Sequence, residues 1–427
     1  MKIALVIEHF DATRGGAEHL TVWLAGQLAD RGHEIHILCR DATPRRHSRH
    51  AASRGASHDA QTSAAAHGPA PAEPGDQFNA NIHIHPISRV KMRTGPGFRL
   101  FGRRARAWRR QHPMDIVHSM SVAWAGDIYH PHAGVYARMQ AQAIASRNTP
   151  GGAEFKRVML KLSAKQRALL ALERRAAAAP ETGGAWKIIC ISPIMAQEFA
   201  QRFAVPPERI ALLPNPNMVD DPCPPDPAMR AWFRGIYQLN ESHRVALFVG
   251  HDFRRKGLEW AIRTVAATTS RWNLLVVGLG KVREYVQLAA GLGAEDRVKF
   301  IGPTAHMHEA YAAADALLLP TFYDSFGLVA VEAMAHGLPV ISTEFLGAAY
   351  LVREHGAGTI VPSPRDVPAM AAALDQLPSD VPGRQRLATA GRLAAQQMTA
   401  ADYANRLLQL YDNFLKTNPD PRRFSRF

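Results

Sequence analysis

The chain alternates between short apolar runs and longer stretches in which apolar residues recur every three to four positions. A first run at residues 2–8 is followed by an amphipathic stretch at residues 17–30 and by a second run at residues 34–39. Short apolar runs are typical of buried strands, and the longer period is typical of helices. This order predicts a β-α-β unit, which is the opening of a doubly wound parallel sheet.

The alternation continues to the end of the chain. In the first half it predicts strands at residues 82–87, 115–119, 187–192 and 210–213 and helices at residues 155–179 and 193–203. In the second half it predicts strands at residues 244–250, 274–278, 298–302, 316–320, 340–342 and 358–361 and helices at residues 258–262, 328–336 and 400–415. The fold class is therefore α/β.

The chain length predicts two domains. A chain of 427 residues is too long for one ordinary core. Pro214, Asn215 and Pro216 form a stiff linker between the halves. We therefore expect a first domain at residues 1–213 and a second domain at residues 214–399, each a doubly wound, Rossmann-like sheet.

Composition is that of a globular protein with one unusual segment. Hydrophobic residues make up 47% of the chain, the N-terminal run is too short for a signal sequence, and we find no apolar run of the roughly 18–20 residues that span a membrane. Three widely spaced cysteines fit a reducing compartment and core packing: Cys39, Cys190 and Cys223. Residues 41–77 are poor in large apolar residues, which predicts a mobile insertion.

The histidines of this segment raise the question of a metal site. They fit its general composition better than they fit a ligand set: His47, His50, His58 and His67. We also find no DxD-type metal site, and Asp220-Asp221 in the linker is expected to be solvated. The sequence therefore predicts no metal and no bound cofactor.

Positive charge is concentrated in the first half. The net charge is +14, with 29 Lys+Arg against 16 Asp+Glu in residues 1–213 and 22 against 21 in residues 214–427. Residues 88–112 hold nine cations and no acid, and Phe98, Phe101 and Trp108 lie among them. Three interpretations are open: a helix that binds an anionic membrane surface or lipid acceptor, a solvated helix whose apolar face packs inward, and a nucleic-acid-binding helix.

Residues 321–340 combine a strand end, two acids and a glycine turn. Asp324 follows the strand, Gly327 lies in the turn, and Glu332 lies on the helix that begins near Leu328. The free N–H groups at a helix N-terminus bind phosphate or polarised oxygen. Asp324 can reach sugar hydroxyls, and Glu332 can bind a ribose diol, so the pattern favours an anionic, hydroxyl-rich ligand.

The segment DSFGLVAVEAMAHGLPV resembles the E-x7-E signature of the retaining family-four glycosyltransferases, which have the GT-B fold. Asp324 takes the place of the usual first glutamate. The segment GHDFRRKGLEWAI resembles the lipopolysaccharide-core glucosyltransferases of that family, in which the Arg-Lys pair binds the donor diphosphate. The resemblance covers nearly the whole chain outside residues 41–77. It implies a cleft between two domains and a C-terminal helix, residues 400–427, that returns to the first domain.

The resemblance assigns the donor site mainly to the second half. Arg255 and Lys256, expected in a loop, would stabilise the leaving diphosphate, and Glu332 would hold the ribose. Asp324 would hold donor sugar hydroxyls, together with the backbone N–H groups of Phe326, Gly327, Leu328 and Val329. From the first half, Gly15 and Gly16, in the order Gly-Gly-Ala-Glu, would close over the donor.

The resemblance also marks acceptor-side residues in the first half. The segment GDIYHPHAGVY resembles the same glucosyltransferases, which suggests that Asp127, Tyr129 or His130 faces the acceptor or the reacting centre. The alternative is that these residues only cap strands. Many relatives carry a second histidine two positions after the one that corresponds to His118, and Met120 occupies that position here.

The function implied is transfer of a hexosyl group from a nucleotide sugar, with retention and without a dedicated base. UDP-glucose is the first candidate donor, with GDP-mannose and UDP-N-acetylglucosamine next. The expected acceptor is a lipid-linked or phosphorylated glycan, such as a lipopolysaccharide core, at the cytoplasmic face of the inner membrane. Two alternatives remain: a nucleotide-sugar 2-epimerase of GT-B fold and a basic nucleic-acid-binding protein. The paired acids and cations argue against nucleic acid as a partner.

Overall fold

The computed structural model describes residues 1–12, 15–43, 79–88, 94–124, 126–219 and 226–418. Several features discussed above lie outside these residues: nearly all of the 41–77 segment with its four histidines, Asp220-Asp221, Cys223, and the cations Arg89, Lys91 and Arg93. The mobile insertion therefore stays a prediction.

Thirteen strands of the described residues form two parallel sheets. The first sheet has the order β3-β2-β1-β4-β5-β6-β7 and consists of β1 (Lys2–Val6), β2 (Glu34–Cys39), β3 (Ile82–Pro86), β4 (Ile116–Ser119), β5 (Ile128–Tyr129), β6 (Lys187–Cys190) and β7 (Ile210–Leu212). The second has the order β10-β9-β8-β11-β12-β13 and consists of β8 (Val245–Val249), β9 (Asn273–Val277), β10 (Val298–Gly302), β11 (Ala316–Leu319), β12 (Val340–Thr343) and β13 (Gly358–Val361). The α/β fold class is confirmed.

Helices connect the strands. Those that follow first-half strands are α1 (Gly16–Asp30), α2 (Gly95–Gln111), α3 (Tyr136–Ala145), α4 (Pro150–Leu162), α5 (Ala164–Ala177) and α6 (Pro193–Phe203). Those of the second half are α7 (Pro227–Ile236), α8 (Phe253–Lys256), α9 (Leu258–Ala267), α10 (Arg283–Gly291), α11 (Met307–Ala313), α12 (Leu328–Ala335), α13 (Ala349–His355), α14 (Val367–Asp375), α15 (Val381–Gln396) and α16 (Ala400–Thr417). None of the described helices is both long and apolar enough to cross a bilayer.

Burial on both faces of the first sheet explains its apolar strands. Along β1, Ala4 and Val6 belong to one buried cluster, while Ile3 and Leu5 belong to another on the opposite face. A parallel strand covered by helices on both sides needs apolar residues at successive positions, since alternate side chains point to opposite faces. The apolar runs of the sequence are the direct result.

Two local predictions were wrong. The helix expected at residues 155–179 is two helices, because Ser163 ends α4 in an extended conformation and its side chain accepts a hydrogen bond from the N–H of Gln166 at the start of α5. Arg255 and Lys256 lie in the short helix α8 rather than in a loop, and Asp252 caps that helix by accepting from the Arg255 N–H.

The aromatic side chains of the basic segment face inward. Phe98 and Phe101 are buried, and Trp108 stacks on His112 with ring centroids 4.2 Å apart. These side chains supply the face of α2 that packs on the core, as the interpretation with an inward-packed apolar face expects. Among the described residues of this segment, the exposed cations are Arg99, Arg103, Arg104 and Arg110.

The last helix packs on the first sheet although it follows the second. Tyr403, Leu407, Tyr411 and Phe414 of α16 belong to the same buried cluster as residues of β1 and α1. Tyr411 shares a 2.6 Å hydrogen bond with Nδ1 of His118 on β4. Residues at the two ends of the described chain thus complete one core.

The two buried tyrosines of α16 offer a matched test of that hydrogen bond. Tyr411→Phe leaves a buried nitrogen of His118 without its partner, which costs about 1–3 kcal/mol. Tyr403 is equally buried, but its hydroxyl has no hydrogen-bond partner among the described residues, so Tyr403→Phe is expected to change stability by less than about 0.5 kcal/mol. Urea denaturation of both variants measures this. Equal losses would contradict the role given to the Tyr411 hydroxyl.

Candidate active site

The candidate residues of the second half lie at the point of the sheet where the order of its strands reverses. The chain passes from β8 to β9 on one side of the sheet and later adds β11 on the other side of β8. Ligands of doubly wound sheets bind outside the carboxyl ends of such neighbouring strands. Lys256 follows β8 and Asp324 follows β11, so the structure brings both to this point.

Lys256 and Asp324 form an ion pair there. The Lys256 ammonium donates a hydrogen bond to Oδ2 of Asp324, and the two side chains are 11% and 12% exposed. Gly257 ends α8 with φ +80°, and a Cβ on it would lie 1.8 Å from the carbonyl oxygen of Pro320. Only glycine lets α8 approach the end of β11 so closely, which is how Lys256 reaches Asp324.

Arg255 supports the same loop and keeps part of its guanidinium accessible. Its Nη1 donates to the carbonyl oxygen of Tyr323 at 2.8 Å, and its Nε lies 3.3 Å from Oδ2 of Asp252. Its own carbonyl accepts from the N–H of Phe322 at 2.8 Å. With the side chain 34% exposed, Arg255 both holds the loop before Asp324 and presents a cation to the cleft.

The backbone around Asp324 is fixed from both sides. Its N–H donates to the carbonyl of Phe345, and its carbonyl accepts from the N–H of Gly347, at 3.0 and 2.9 Å. Gly327 has φ +90°, and a Cβ there would lie 2.3 Å from the Leu346 side chain. The turn into α12 therefore requires glycine, and the Asp324 carboxylate stays 3.3 Å from that Cβ position.

The start of α12 is open to a ligand. None of the described side chains caps this helix. The N–H groups of Leu328 and Val329 are among its first, which have no partner within a helix and carry its partial positive charge. Phe326, just before the turn, is buried. A Cβ on Gly16 would lie 3.0 Å from Leu328 Cδ1, so the glycine pair of the first half reaches the start of α12.

Glu332 lies one turn further along α12 and close to the ion pair. It accepts a 2.6 Å hydrogen bond from the Tyr311 hydroxyl. Burial raises the pKa of Glu332, while the Tyr311 bond and the charge of Lys256 act to lower it. Glu332 therefore lies within the electrostatic influence of Lys256, on the helix whose N-terminus follows Asp324.

A loop of the first half contacts the Asp324 loop directly. The Val135 N–H donates to the Tyr323 hydroxyl at 2.9 Å, and the Ser325 hydroxyl donates to the carbonyl of His132 at 2.8 Å. A Cβ on Gly134 would lie 2.2 Å from the Tyr323 hydroxyl. The two sheets therefore face each other across a cleft that is closed at this point.

His130 lies at the carboxyl end of β5, where its ring packs between those of two other histidines. Its Nδ1 is 3.1 Å from Nε2 of His118, and its ring centroid is 4.0 Å from that of His132. Burial lowers the pKa of His118 to about 3 and that of His132 to about 4, and lowers the pKa of His130 as well. The three imidazoles are therefore neutral at pH 7, and His118 contacts Tyr411 of α16.

The structure does not bring Asp127 to the cleft. The residue precedes β5, so it lies at the amino end of the sheet, and its Oδ2 accepts from the N–H of Val117 at 2.7 Å. The expectation that Asp127 faces the acceptor is wrong, because the loop after β4 runs back along the sheet before β5 begins. Asp127 closes that loop.

Asp127 therefore gives a prediction about stability against pH. Burial raises its pKa to about 6 from the usual 3.8. A raised carboxyl pKa favours the folded state below pH 4, and this contribution is lost as the pH rises through 6. Asp127→Asn is neutral at every pH, so the stability of the native protein relative to this variant should fall by roughly 2–3 kcal/mol between pH 4 and 7.5. Denaturation at both pH values measures this difference. The same difference in unfolding free energy between the two proteins at pH 4 and pH 7.5 would contradict the prediction.

The sequence analysis did not identify four polar side chains near the carboxyl ends of the two sheets. Tyr311 and Tyr323 contact site residues from distant parts of the chain, and Glu8 and Ser121 lie together at the carboxyl edge of the first sheet with a 2.5 Å hydrogen bond. The signal available for Glu8 was its position just after the first strand. The tyrosines carry no local signal, since their contacts depend on how the two sheets face each other.

Other features of the described residues do not belong to this site. They include no group of three or more His, Cys, Asp or Glu side chains that could hold a metal ion, and the absence of a metal stays a prediction. A cavity of about 840 Å³ lies at the amino edge of the second sheet, near Arg244, Asp315 and Pro339. Doubly wound sheets bind ligands at the other edge.

Comparisons with known proteins agree with this architecture. A glycosyltransferase family 4 model matches residues 14–217, and a glycosyl transferases group 1 model matches residues 230–394. The lipopolysaccharide glucosyltransferase WaaG of Escherichia coli is 30% identical over 261 residues, which are 60% of this chain and 66% of that protein. The chain thus matches slightly less than two thirds of that relative.

Solved structures show the same fold. The crystal structure of WaaG, a glycosyltransferase involved in lipopolysaccharide biosynthesis, superposes with a TM-score of 0.73 at 21% identity, over 96% of this chain and 99% of that one. Anabaena HepE in complex with UDP-glucose superposes with a TM-score of 0.66 at 17% identity, over 97% and 100%. The fold is that of the GT-B glycosyltransferases, and glycosyltransferase family models match both halves of the chain. More narrowly, the first half matches the family 4 model, in agreement with the sequence resemblance.

Proposed function

We propose that this protein transfers a hexosyl group from a nucleotide sugar to a hydroxyl of a glycan acceptor, with retention at the anomeric carbon. The observation that carries the proposal is the convergence of Lys256, Asp324 and Glu332 at the open start of α12, opposite Gly16. These groups supply a cation, two carboxylates and backbone N–H groups. A sugar diphosphate needs this combination.

Each group has one role in donor binding. Glu332 accepts hydrogen bonds from the ribose diol, with its carboxylate oriented by Tyr311. Lys256 and Arg255 stabilise the diphosphate, whose developing charge also faces the N–H groups of α12. Asp324, paired with Lys256, accepts hydrogen bonds from the donor sugar. Gly15 and Gly16 cover the donor from the first half.

The reaction follows from this arrangement. The acceptor oxygen attacks the anomeric carbon from the face on which the diphosphate leaves. The bond from that carbon to the diphosphate oxygen breaks, and its electron pair stays with the diphosphate. The acceptor proton passes to a diphosphate oxygen, so that the chain needs no dedicated base. Lys256 and Arg255 favour this step because they bind the separated diphosphate more strongly than the intact ester.

UDP-glucose is the donor that the relatives favour. WaaG is named a glucosyltransferase, and HepE was solved with UDP-glucose. A thermal-shift panel of UDP, GDP and ADP, followed by the matching nucleotide sugars, tests this assignment. We expect UDP to raise the melting temperature most. Stabilisation by GDP alone would replace UDP-glucose with GDP-mannose, and no stabilisation by any nucleotide would contradict the proposed function.

The acceptor is a lipid-linked or phosphorylated glycan, such as a lipopolysaccharide core, at the cytoplasmic face of the inner membrane. Support comes from the basic face of α2, which faces α5 across a cavity of about 230 Å³. Arginines from both helices line it: Arg99, Arg103, Arg106 and Arg175. Burial and the neighbouring arginines lower the pKa of Arg106. An anionic surface or phosphate relieves this repulsion, with each cation near an anionic bilayer worth about 1 kcal/mol.

Binding to vesicles tests this surface. Arg99→Glu with Arg103→Glu should reduce binding to vesicles that contain phosphatidylglycerol by at least tenfold at low salt. The control is Arg384→Glu with Arg386→Glu, which makes the same charge change on exposed residues of α15. Binding to purely zwitterionic vesicles should be weak for all variants. Equal losses from the two pairs would contradict a specific role for α2.

A further inference from the structure

A carboxylate at the carboxyl edge of the first sheet has no part in the roles assigned above. Glu8 follows β1 and Ser121 follows β4, the neighbouring strands between which the strand order of the first sheet reverses. Ligands bind at this point of a doubly wound sheet. The equivalent point of the second sheet holds Lys256 and Asp324. The contacts of Gly16 and Val135 with the second half show that these two points face the same cleft.

The Glu8 carboxylate is oriented by a hydrogen bond from Ser121 and can accept further hydrogen bonds. Ser121 donates to its Oε1 at 2.5 Å. Ser121 is itself fixed by Ser119, whose hydroxyl donates to the Ser121 carbonyl at 2.9 Å and accepts from the Ser121 N–H at 3.2 Å. In the described parts of the chain, no other side chain donates to the Glu8 carboxylate. It therefore keeps capacity for a hydroxyl from outside the protein.

The surroundings of Glu8 contain a second polar group without a protein partner. Tyr129 is fully buried, and its hydroxyl has no hydrogen-bond partner in the described residues. Tyr129 lies opposite Ser119 in the pairing of β4 with β5, and the charge of Glu8 contributes to the raised pKa of Tyr129 and of Tyr136. Buried polar groups of native proteins are usually paired. A hydroxyl-rich ligand would pair these groups.

We propose that Glu8, positioned by Ser121, accepts a hydrogen bond from the attacking hydroxyl while the acceptor binds, and that this proton turns to the diphosphate oxygen as the new bond to the anomeric carbon forms. This inference rests on the proposed glycosyl transfer and deepens it. A carboxylate repels phosphate, so the sugar unit that enters here is uncharged, and any phosphate of the acceptor lies elsewhere. The position next to β4 also explains why Met120 needs no polar side chain: Glu8 supplies a polar group at this edge.

The test uses water as the nucleophile, because water needs no knowledge of the acceptor. The full-length chain is incubated with UDP-glucose, GDP-mannose or UDP-N-acetylglucosamine, and release of the nucleoside diphosphate is followed from pH 4.5 to 8. Glu8→Gln should lower the hydrolysis rate at least tenfold and remove its decline toward acid pH, while the melting-temperature shift with the nucleoside diphosphate stays unchanged. Ser121→Ala should lower the rate about threefold.

Glu34→Gln is the matched control, because Glu34 begins β2 at the opposite edge of the same sheet. It should hydrolyse the donor at the native rate. If Glu8→Gln is poorly folded, the same comparison is made with Ser121→Ala. Native-like hydrolysis and pH dependence in the folded variant would overturn the role of Glu8 and leave the proposed function intact. No binding and no hydrolysis of any nucleotide sugar by the native protein would overturn both.

Discussion

Replacing Lys256 with alanine is expected to lower the rate of glycosyl transfer by about a thousandfold. The Lys256 side chain is 11% exposed, against 34% for Arg255, and in the proposed reaction it binds the diphosphate as that group gains charge. Loss of one preorganised group of this kind typically costs 10²–10³ in kcat. The measurement is the rate of UDP release from UDP-glucose with acceptor, or with water if no acceptor is in hand.

Arg254→Ala is the matched control for this variant. Arg254 lies two residues before Lys256 on the same short helix, but it faces Glu284 and is more exposed. Its loss should change the rate less than threefold. A similar loss of rate in both variants would show that α8 has only a structural role.

The ion pair complicates the interpretation, since Lys256→Ala also leaves the buried Asp324 carboxylate without its partner. Breaking a buried pair costs about 3–5 kcal/mol. Combining Lys256→Ala with Asp324→Asn removes the unpaired charge, so the double variant should regain much of the lost stability. It should not regain activity. Recovery of activity along with stability would contradict a direct role of Lys256 in the reaction.

Glu332→Gln should weaken UDP binding by ten- to a hundredfold. A carboxylate that accepts two hydrogen bonds from a ribose diol is stronger than an amide, and hydrogen bonds to charged groups contribute about 1.5–3 kcal/mol each. Isothermal titration with UDP measures the affinity directly. The effect should be smaller for the transfer rate at saturating donor, because the ribose is remote from the bond that breaks.

Two further variants test whether the loss of UDP affinity is specific to the Glu332 carboxylate. Tyr311→Phe keeps the Glu332 charge but removes the hydroxyl that orients it, so UDP affinity should fall by less than tenfold. Glu354→Gln removes an exposed carboxylate at the end of α13 and should leave UDP affinity unchanged. Native affinity in Glu332→Gln would mean that the ribose lies elsewhere.

Periodicity and local motifs were enough to predict the elements around the donor site. The strand before Asp324 and the helix that carries Glu332 follow directly from an apolar run and a glycine turn. The break at Ser163 was missed, because an amphipathic pattern that continues across a serine does not show that its hydroxyl caps a new helix.

Long-range placement could not be predicted from the same patterns. Asp127 was assigned to the cleft because it lies in a motif beside β5, but its position before the strand puts it at the opposite edge. The aromatic residues of α2 show the same limit. Their spacing among arginines fits both an exposed and a buried face, and only packing against the first sheet decides between them.

The position of α16 has a consequence for synthesis of the protein on the ribosome. The first sheet is translated early, yet Phe414 and three other side chains needed for its core are translated after the whole second sheet. The second sheet is complete in sequence by Val361. The nascent first half must therefore keep an uncovered apolar surface until α16 has been synthesised and has left the ribosome.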